Sequence, residues 1–119
     1  MADSLTIDSQ VDSPAGVSTL KLSGALLSSN VQSFKARLQE VNTAGLVIDL
    51  SSVDHVDSLG IGALVNAQVT RKKAGKTLVL AAVSERVLAV LKGTQVDQLF
   101  RFASSTSKAQ ALVAVAGNP

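Results

Sequence analysis

Five side chains able to do chemistry lie close together in the chain, Asp49, Asp54, His55, Asp57 and Ser58, and two glycines, Gly60 and Gly62, follow directly. Three carboxylates could hold Mg²⁺, because hard cations take oxygen ligands. Oxygen ligands are common in any polar loop, so the cluster alone is a weak metal signal. His55 could act as a general base toward the Ser58 hydroxyl, but two intervening residues rarely give that geometry. As the only histidine in a chain without cysteine, it cannot assemble a zinc site. Gly60-Ile61-Gly62 has the outline of a phosphate-binding glycine loop. The dinucleotide fingerprint would need a third glycine where Val65 stands, and no lysine follows for a P-loop. The plainer reading is that both glycines let the start of a helix lie close to a sheet or a partner.

The surrounding elements weigh these readings. Leu46 to Leu50 is an apolar run broken only by Asp49, which predicts a buried central strand. Ser51, Ser52, Asp54 and His55 read as a polar loop after it. Ile61, Leu64, Val65 and Val69 then recur with helical spacing. Ser58 therefore stands where the N-cap of that helix is expected, at the carboxyl edge of a central strand, where open α/β sheets place their chemistry. A serine needs no further reason to cap a helix. Two features supply one: it follows Asp57 directly, and its helix begins with small residues, Gly60, Gly62, Ala63 and Ala67. A phosphate on Ser58 would meet the positive end of the helix dipole and free amide groups. It would add about −1.5 to −2 charges beside Asp57, which predicts repulsion of a docked partner with the fold undisturbed. A response-regulator receiver has a comparable length, but its acidic pair follows the first strand. Here that strand ends in Gln10-Val11-Asp12-Ser13 and leads into a hairpin.

The rest of the chain supplies the scaffold. Leu5, Ile7 and Val11 alternate with polar residues as a first strand, Ser13-Pro14-Ala15-Gly16 has a type I turn signature, and Val17 to Ser23 forms a second strand. Gly24 to Ser29 reads as a loop. A helix follows with Val31, Phe34, Leu38 and Val41 inward, and Gly45 is its expected C-terminal breaker. The helix after Ser58 closes on Arg71-Lys72-Lys73-Ala74-Gly75, where cations complement the helix dipole and Gly75 caps. Thr77 to Val83 is a second buried strand, and Ser84 caps a short helix carrying Val87, Leu88 and Leu91. Val96 to Phe102 gives a short edge segment, and Ala109, Leu112, Val113 and Ala116 stripe a last helix. The expected fold is α/β: a small mixed sheet, an antiparallel hairpin first and parallel strands after it, packed with about four helices in one domain over residues 1–119.

Composition narrows the function. The chain has 119 residues, 46% of them hydrophobic, with three Phe and neither Trp nor Tyr. That argues against a stacking platform for single-stranded nucleic acid. A net charge of +2 points to neither DNA nor an anionic membrane. No secretory signal is legible at the start, and no apolar run approaches the roughly 20 residues that span a bilayer. The expectation is a soluble cytoplasmic protein that uses no cofactor or metal.

Val47-Ile48-Asp49-Leu50-Ser51 followed by Val56-Asp57-Ser58-Leu59-Gly60-Ile61-Gly62-Ala63-Leu64 resembles the STAS domains, and within them the bacterial anti-sigma factor antagonists. The pattern there is an apolar strand ending in Asp-Leu or Asn-Leu, a loop, and Asp-Ser-x-Gly-Leu/Ile-Gly. Gly75-Lys76 leading into Leu78-Val79-Leu80 is similar as well. The resemblance implies a non-enzymatic protein phosphorylated on Ser58 by a cognate anti-sigma factor that is also a serine kinase. The unphosphorylated form would bind that kinase and free its sigma factor, and a PP2C-type phosphatase would restore it. Asp57, Leu59, Gly60, Ile61 and Gly62 would form the partner-binding surface. Many antagonists carry Gly-Glu-Leu-Asp after the second strand, and this chain has Gly24-Ala25-Leu26-Leu27. The resemblance allows an alternative, an unphosphorylated STAS scaffold or a subunit of a phospholipid ABC-type transport complex.

Overall fold

The computed structural model describes residues 5–12 and 16–116. In chain order the elements are β1 (Leu5–Asp12), β2 (Val17–Leu26), α1 (Val31–Gln39), β3 (Gly45–Val56), α2 (Ser58–Lys73), β4 (Thr77–Ala81), α3 (Glu85–Gly93), a 3₁₀ turn (Asp97–Leu99), β5 (Arg101–Ala103) and α4 (Thr106–Ala116). The strands lie side by side in sequence order, with β1 antiparallel to β2 and every later pairing parallel. This is the mixed sheet with four helices that the sequence implies. The turn expected over Ser13–Gly16 falls largely outside the described residues.

Alternation along the strands divides the core into two layers. Leu20, Leu22, Leu46, Ile48, Leu50 and Leu80 face α1, α2 and α3, where Phe34, Leu64 and Leu91 meet them. Val17, Val47, Val79 and Ala81 point the other way, onto Ala109 and Val113 of α4. The middle of the sheet is covered on both sides, so β3 reads as an unbroken apolar run there.

Several boundaries differ from the sequence expectations: β4 stops at Ala81, short of Val83, the Val96–Phe102 segment divides into the 3₁₀ turn and β5, and three more differ for a packing reason. The presumed loop Ser51–His55 is the second half of β3. β4 pairs with β3 only as far as Asp49↔Ala81, and beyond that point β3 pairs with β2 alone. Ser51, Ser52, Asp54 and His55 are therefore exposed on a strand, while Val53 and Val56 stay buried. β2 likewise continues past Ser23 to Leu26, through register shifts at Lys21/Ser23 and Gly24/Ala25 and a Gly24 φ of +112°. Finally, Gly45 does not end α1, whose C-cap is Glu40. It opens β3, where an added Cβ would lie 3.1 Å from Val113 Cβ.

Two other helix ends follow their sequence signals. Ser84 caps α3, its hydroxyl accepting the Val87 N–H at 3.3 Å. Gly75 closes α2 at φ +73°, its N–H donating to Lys72 O at 3.0 Å while Lys76 N–H donates to Arg71 O at 2.8 Å. Those two bonds make a Schellman motif.

Candidate functional site

The site sits where β2 and β3 end and α2 begins. Asp57 is extended, with φ −90° and ψ −178°, and its Oδ1 accepts the Gly60 N–H at 2.9 Å. Asp57 is thus the N-cap, and Ser58 is the first helical residue. This corrects the expectation that Ser58 caps the helix. Asp and Ser rank equally as caps, and here the strand delivers its chain to the helix one residue earlier.

Asp57 does more than cap. Its Oδ2 accepts the backbone N–H of Ser28 at 2.8 Å, and its own N–H donates to Leu26 O at 3.2 Å. The segment after β2 is thereby tied to the start of α2. The Ser28 N–H first, and the Gly60 N–H next, hold the Asp57 carboxyl below its ordinary range, against a smaller opposing effect of desolvation. Leu27, where many antagonists have Asp, belongs to this tied segment. It donates its N–H to the side chain of Asn30 at 2.9 Å.

With the cap supplied by Asp57, the Ser58 side chain is exposed and makes no hydrogen bond among the described residues. Leu59 beside it is 58% exposed, a large apolar side chain left in water. The two glycines have different reasons. A Cβ on Gly60 would run into Leu26 O and approach Val56 Cγ1 to 2.8 Å, so Gly60 is what lets α2 start against the end of β2. A Cβ on Gly62 would meet nothing within 4 Å. Gly62 faces an open groove of about 440 Å³, lined by Ser58, Ile61, Val65, Val69 and Val96 among others. Of the residues expected to face a partner, Leu59 and Gly62 are open, while Gly60 and Ile61 belong to the buried side.

The other candidates are not brought together. Asp49 is buried, its Oδ1 accepting the Ser51 N–H at 2.9 Å. Asp54 and His55 are exposed on β3, and no hydrogen bond links His55 to Ser58. Among the described residues no three His, Cys, Asp or Glu side chains group as metal ligands.

Sequence reading missed the tie from Ser28 to Asp57 and the groove wall contributed by Val96. It also set the inward stripe of α2 to one side: Ile61 and Leu64 are buried as expected, but Gly60, Ala63, Ala67 and Arg71 complete the buried face while Val69 is 40% exposed. The signal was present in the four-residue spacing of Ala63, Ala67 and Arg71.

The family model described as "Mlab, STAS domain" matches residues 9–101. The chain belongs to the STAS domain family. Solved structures share its fold at low identity. An anti-sigma factor antagonist from Mycobacterium paratuberculosis superposes with a TM-score of 0.85 at 22% identity, covering 96% of this chain and 97% of that one. An anti-sigma-factor antagonist (STAS) domain protein from Planctomyces limnophilus gives 0.73 at 22%, with 95% and 98% covered. A sulfate transporter family protein from Wolinella succinogenes gives 0.79 at 22%, with 89% and 91% covered. The same fold thus occurs in proteins described as anti-sigma factor antagonists and in one described as a sulfate transporter family protein. No helix among the described residues is long and apolar enough to cross a membrane.

Proposed function

We propose that this STAS domain is an anti-sigma factor antagonist, a cytoplasmic binding protein without enzymatic activity. Unphosphorylated, it docks a cognate anti-sigma factor that is also a serine kinase, and the sigma factor is released. Phosphorylation of Ser58 ends the complex, and a PP2C-type phosphatase resets it. The observation that carries this reading is the division of labour at the start of α2. Asp57 caps the helix, which leaves the Ser58 hydroxyl exposed beside Leu59 and at the mouth of the apolar groove. A phosphate there would meet free helix amides without disturbing packing, and would place a doubly charged group on the docking face.

The test is binding of a candidate anti-sigma kinase to wild type, Ser58→Ala and Ser58→Asp by calorimetry. Wild type and Ser58→Ala should bind alike, and Ser58→Asp should bind at least about 10-fold more weakly, a difference of about 1.4 kcal/mol. Equal affinity for Ser58→Asp would contradict the charge switch.

Two observations favour a second reading, a STAS subunit of a phospholipid transport complex that is never phosphorylated. The tied segment beside Ser58 carries Leu27 and no acidic side chain, and the matching family model carries the Mlab description. Recovery of a transport ATPase, and of no anti-sigma factor, on the immobilised protein would decide for it.

A further inference from the structure

A second cleft, about 320 Å³ and more enclosed than the groove at Ser58, lies between α1 and α2. Ala63 and Ala67 are buried one turn apart on α2, and Leu38 of α1 packs against the same core. Their small side chains hold the helices together without filling the space between them. Lys35 and Arg71 line the cleft as well.

Arg71 is the unusual member. It is only 8% exposed, yet no carboxylate pairs with it among the described residues, where the one ion pair joins Arg37 and Glu40. Its Nε donates to Thr77 O at 3.0 Å, and its Nη2 donates to Thr43 O at 2.9 Å and Ala44 O at 3.0 Å. Three carbonyls fix the guanidinium in place but bring no negative charge. Burial accordingly disfavours its charged form, though a guanidinium does not give up its proton in proteins. A buried charge without a counterion is costly. Nη1 makes no hydrogen bond among the described residues. No fully buried polar side-chain atom among them lacks a partner, so Nη1 keeps an opening. The cleft is the open space that Arg71 lines.

We propose that the α1–α2 cleft binds a small organic anion with a short apolar body, its carboxylate taken by Arg71 Nη1 and Lys35 and its chain lying on Leu38, Ala63 and Ala67. A bare inorganic ion would leave the apolar floor uncovered, and a neutral molecule would leave the guanidinium without its counterion. The volume is at the low end for ligand cavities, which run from about 300 to 1,000 Å³, so an aliphatic acid of a few carbons suits it. The site does not depend on phosphorylation of Ser58.

The test follows amide and arginine side-chain NMR signals of the whole chain during titration with hexanoate, hexanol and inorganic phosphate. Hexanoate should saturate, shifting the Arg71 Nε–H and the Ala63, Ala67 and Thr70 amides, and should bind at least about 10-fold more tightly than the other two. Lys35 and Thr70 are exposed on the rim, so they can be changed without touching Arg71. Lys35→Glu should weaken hexanoate several-fold, and Thr70→Trp should fill the cleft and abolish the response. Shifts that never saturate would reduce Arg71 to a structural clamp and overturn the proposal. So would an equal response to hexanol or phosphate, or undiminished binding in Thr70→Trp.

Discussion

Asp57 and Ser28 lie 29 positions apart in the chain, and the Asp57 Oδ2 accepts the Ser28 backbone N–H at 2.8 Å. The other oxygen of the same carboxylate caps α2 through the Gly60 N–H. One side chain thus joins the end of β2 to the start of α2 and leaves the adjacent serine with no structural task. No hydrogen bond joins Ser58 to Asp57 among the described residues, and the lowered pKa of the Asp57 carboxyl makes it a weak base for the Ser58 proton.

Ser58→Ala should therefore leave folding stability within about 0.5 kcal/mol of wild type, as for surface changes that remove no structural contact. Urea unfolding checks this. A loss above 1 kcal/mol, roughly the value of a helix cap, would return the capping role to Ser58.

The Ser28 and Gly60 N–H groups hold the Asp57 carboxyl below its ordinary value of 3.8. A depressed acid contributes stability above its unfolded pKa and loses it as the pH falls through the folded pKa. Asp57→Asn keeps a capping acceptor but has no charge to titrate. The stability advantage of wild type over Asp57→Asn should be constant from neutral pH to about pH 5. It should then shrink as the carboxylate is protonated, with urea midpoints of both proteins followed across the acid range.

Gly60 and Gly62, two positions apart in one helix, should respond oppositely to alanine. Gly60→Ala forces a methyl against Leu26 O and Val56 and should cost about 2 kcal/mol or more. Gly62→Ala meets open space and should stabilise α2 by up to about 1 kcal/mol through helix propensity. Thermal or urea melts of the two variants give the comparison. Retaining a glycine where alanine would be more stable fits a surface that a partner approaches closely.

Arg71→Met removes the donors to Thr43, Ala44 and Thr77 carbonyls at the start of β3 and β4. Hydrogen bonds to charged groups contribute about 1.5–3 kcal/mol each, but methionine also relieves a buried charge. A net loss of about 2–3 kcal/mol is expected, read from chemical denaturation.

How much of this was legible depends on what each residue type constrains. The element order was readable because apolar alternation and helical spacing are local, as in Leu20/Leu22 and Val87/Leu91. The end of β3 was not, because Ser51, Ser52, Asp54 and His55 are polar for want of a neighbour: β4 stops at Ala81 and the strand continues with one side open. Gly45 looked like a helix terminator, but its reason is contact with Val113, nearly seventy positions later. Arg71 read as a dipole complement because Lys72 and Lys73 beside it are that. Its place on the Ala63–Ala67 face separates it from them. At the site, Asp-Ser was readable as a pair, but which of the two caps is decided by the backbone of Asp57 and by Ser28, which sequence spacing does not encode.

The most direct test of the switch at Ser58 is the intact mass of wild type and Ser58→Ala after incubation with a candidate anti-sigma kinase and ATP. A single phosphate on wild type and none on Ser58→Ala is the expected result. An unmodified wild type with an active kinase that binds it, or the same adduct on both proteins, would contradict the account.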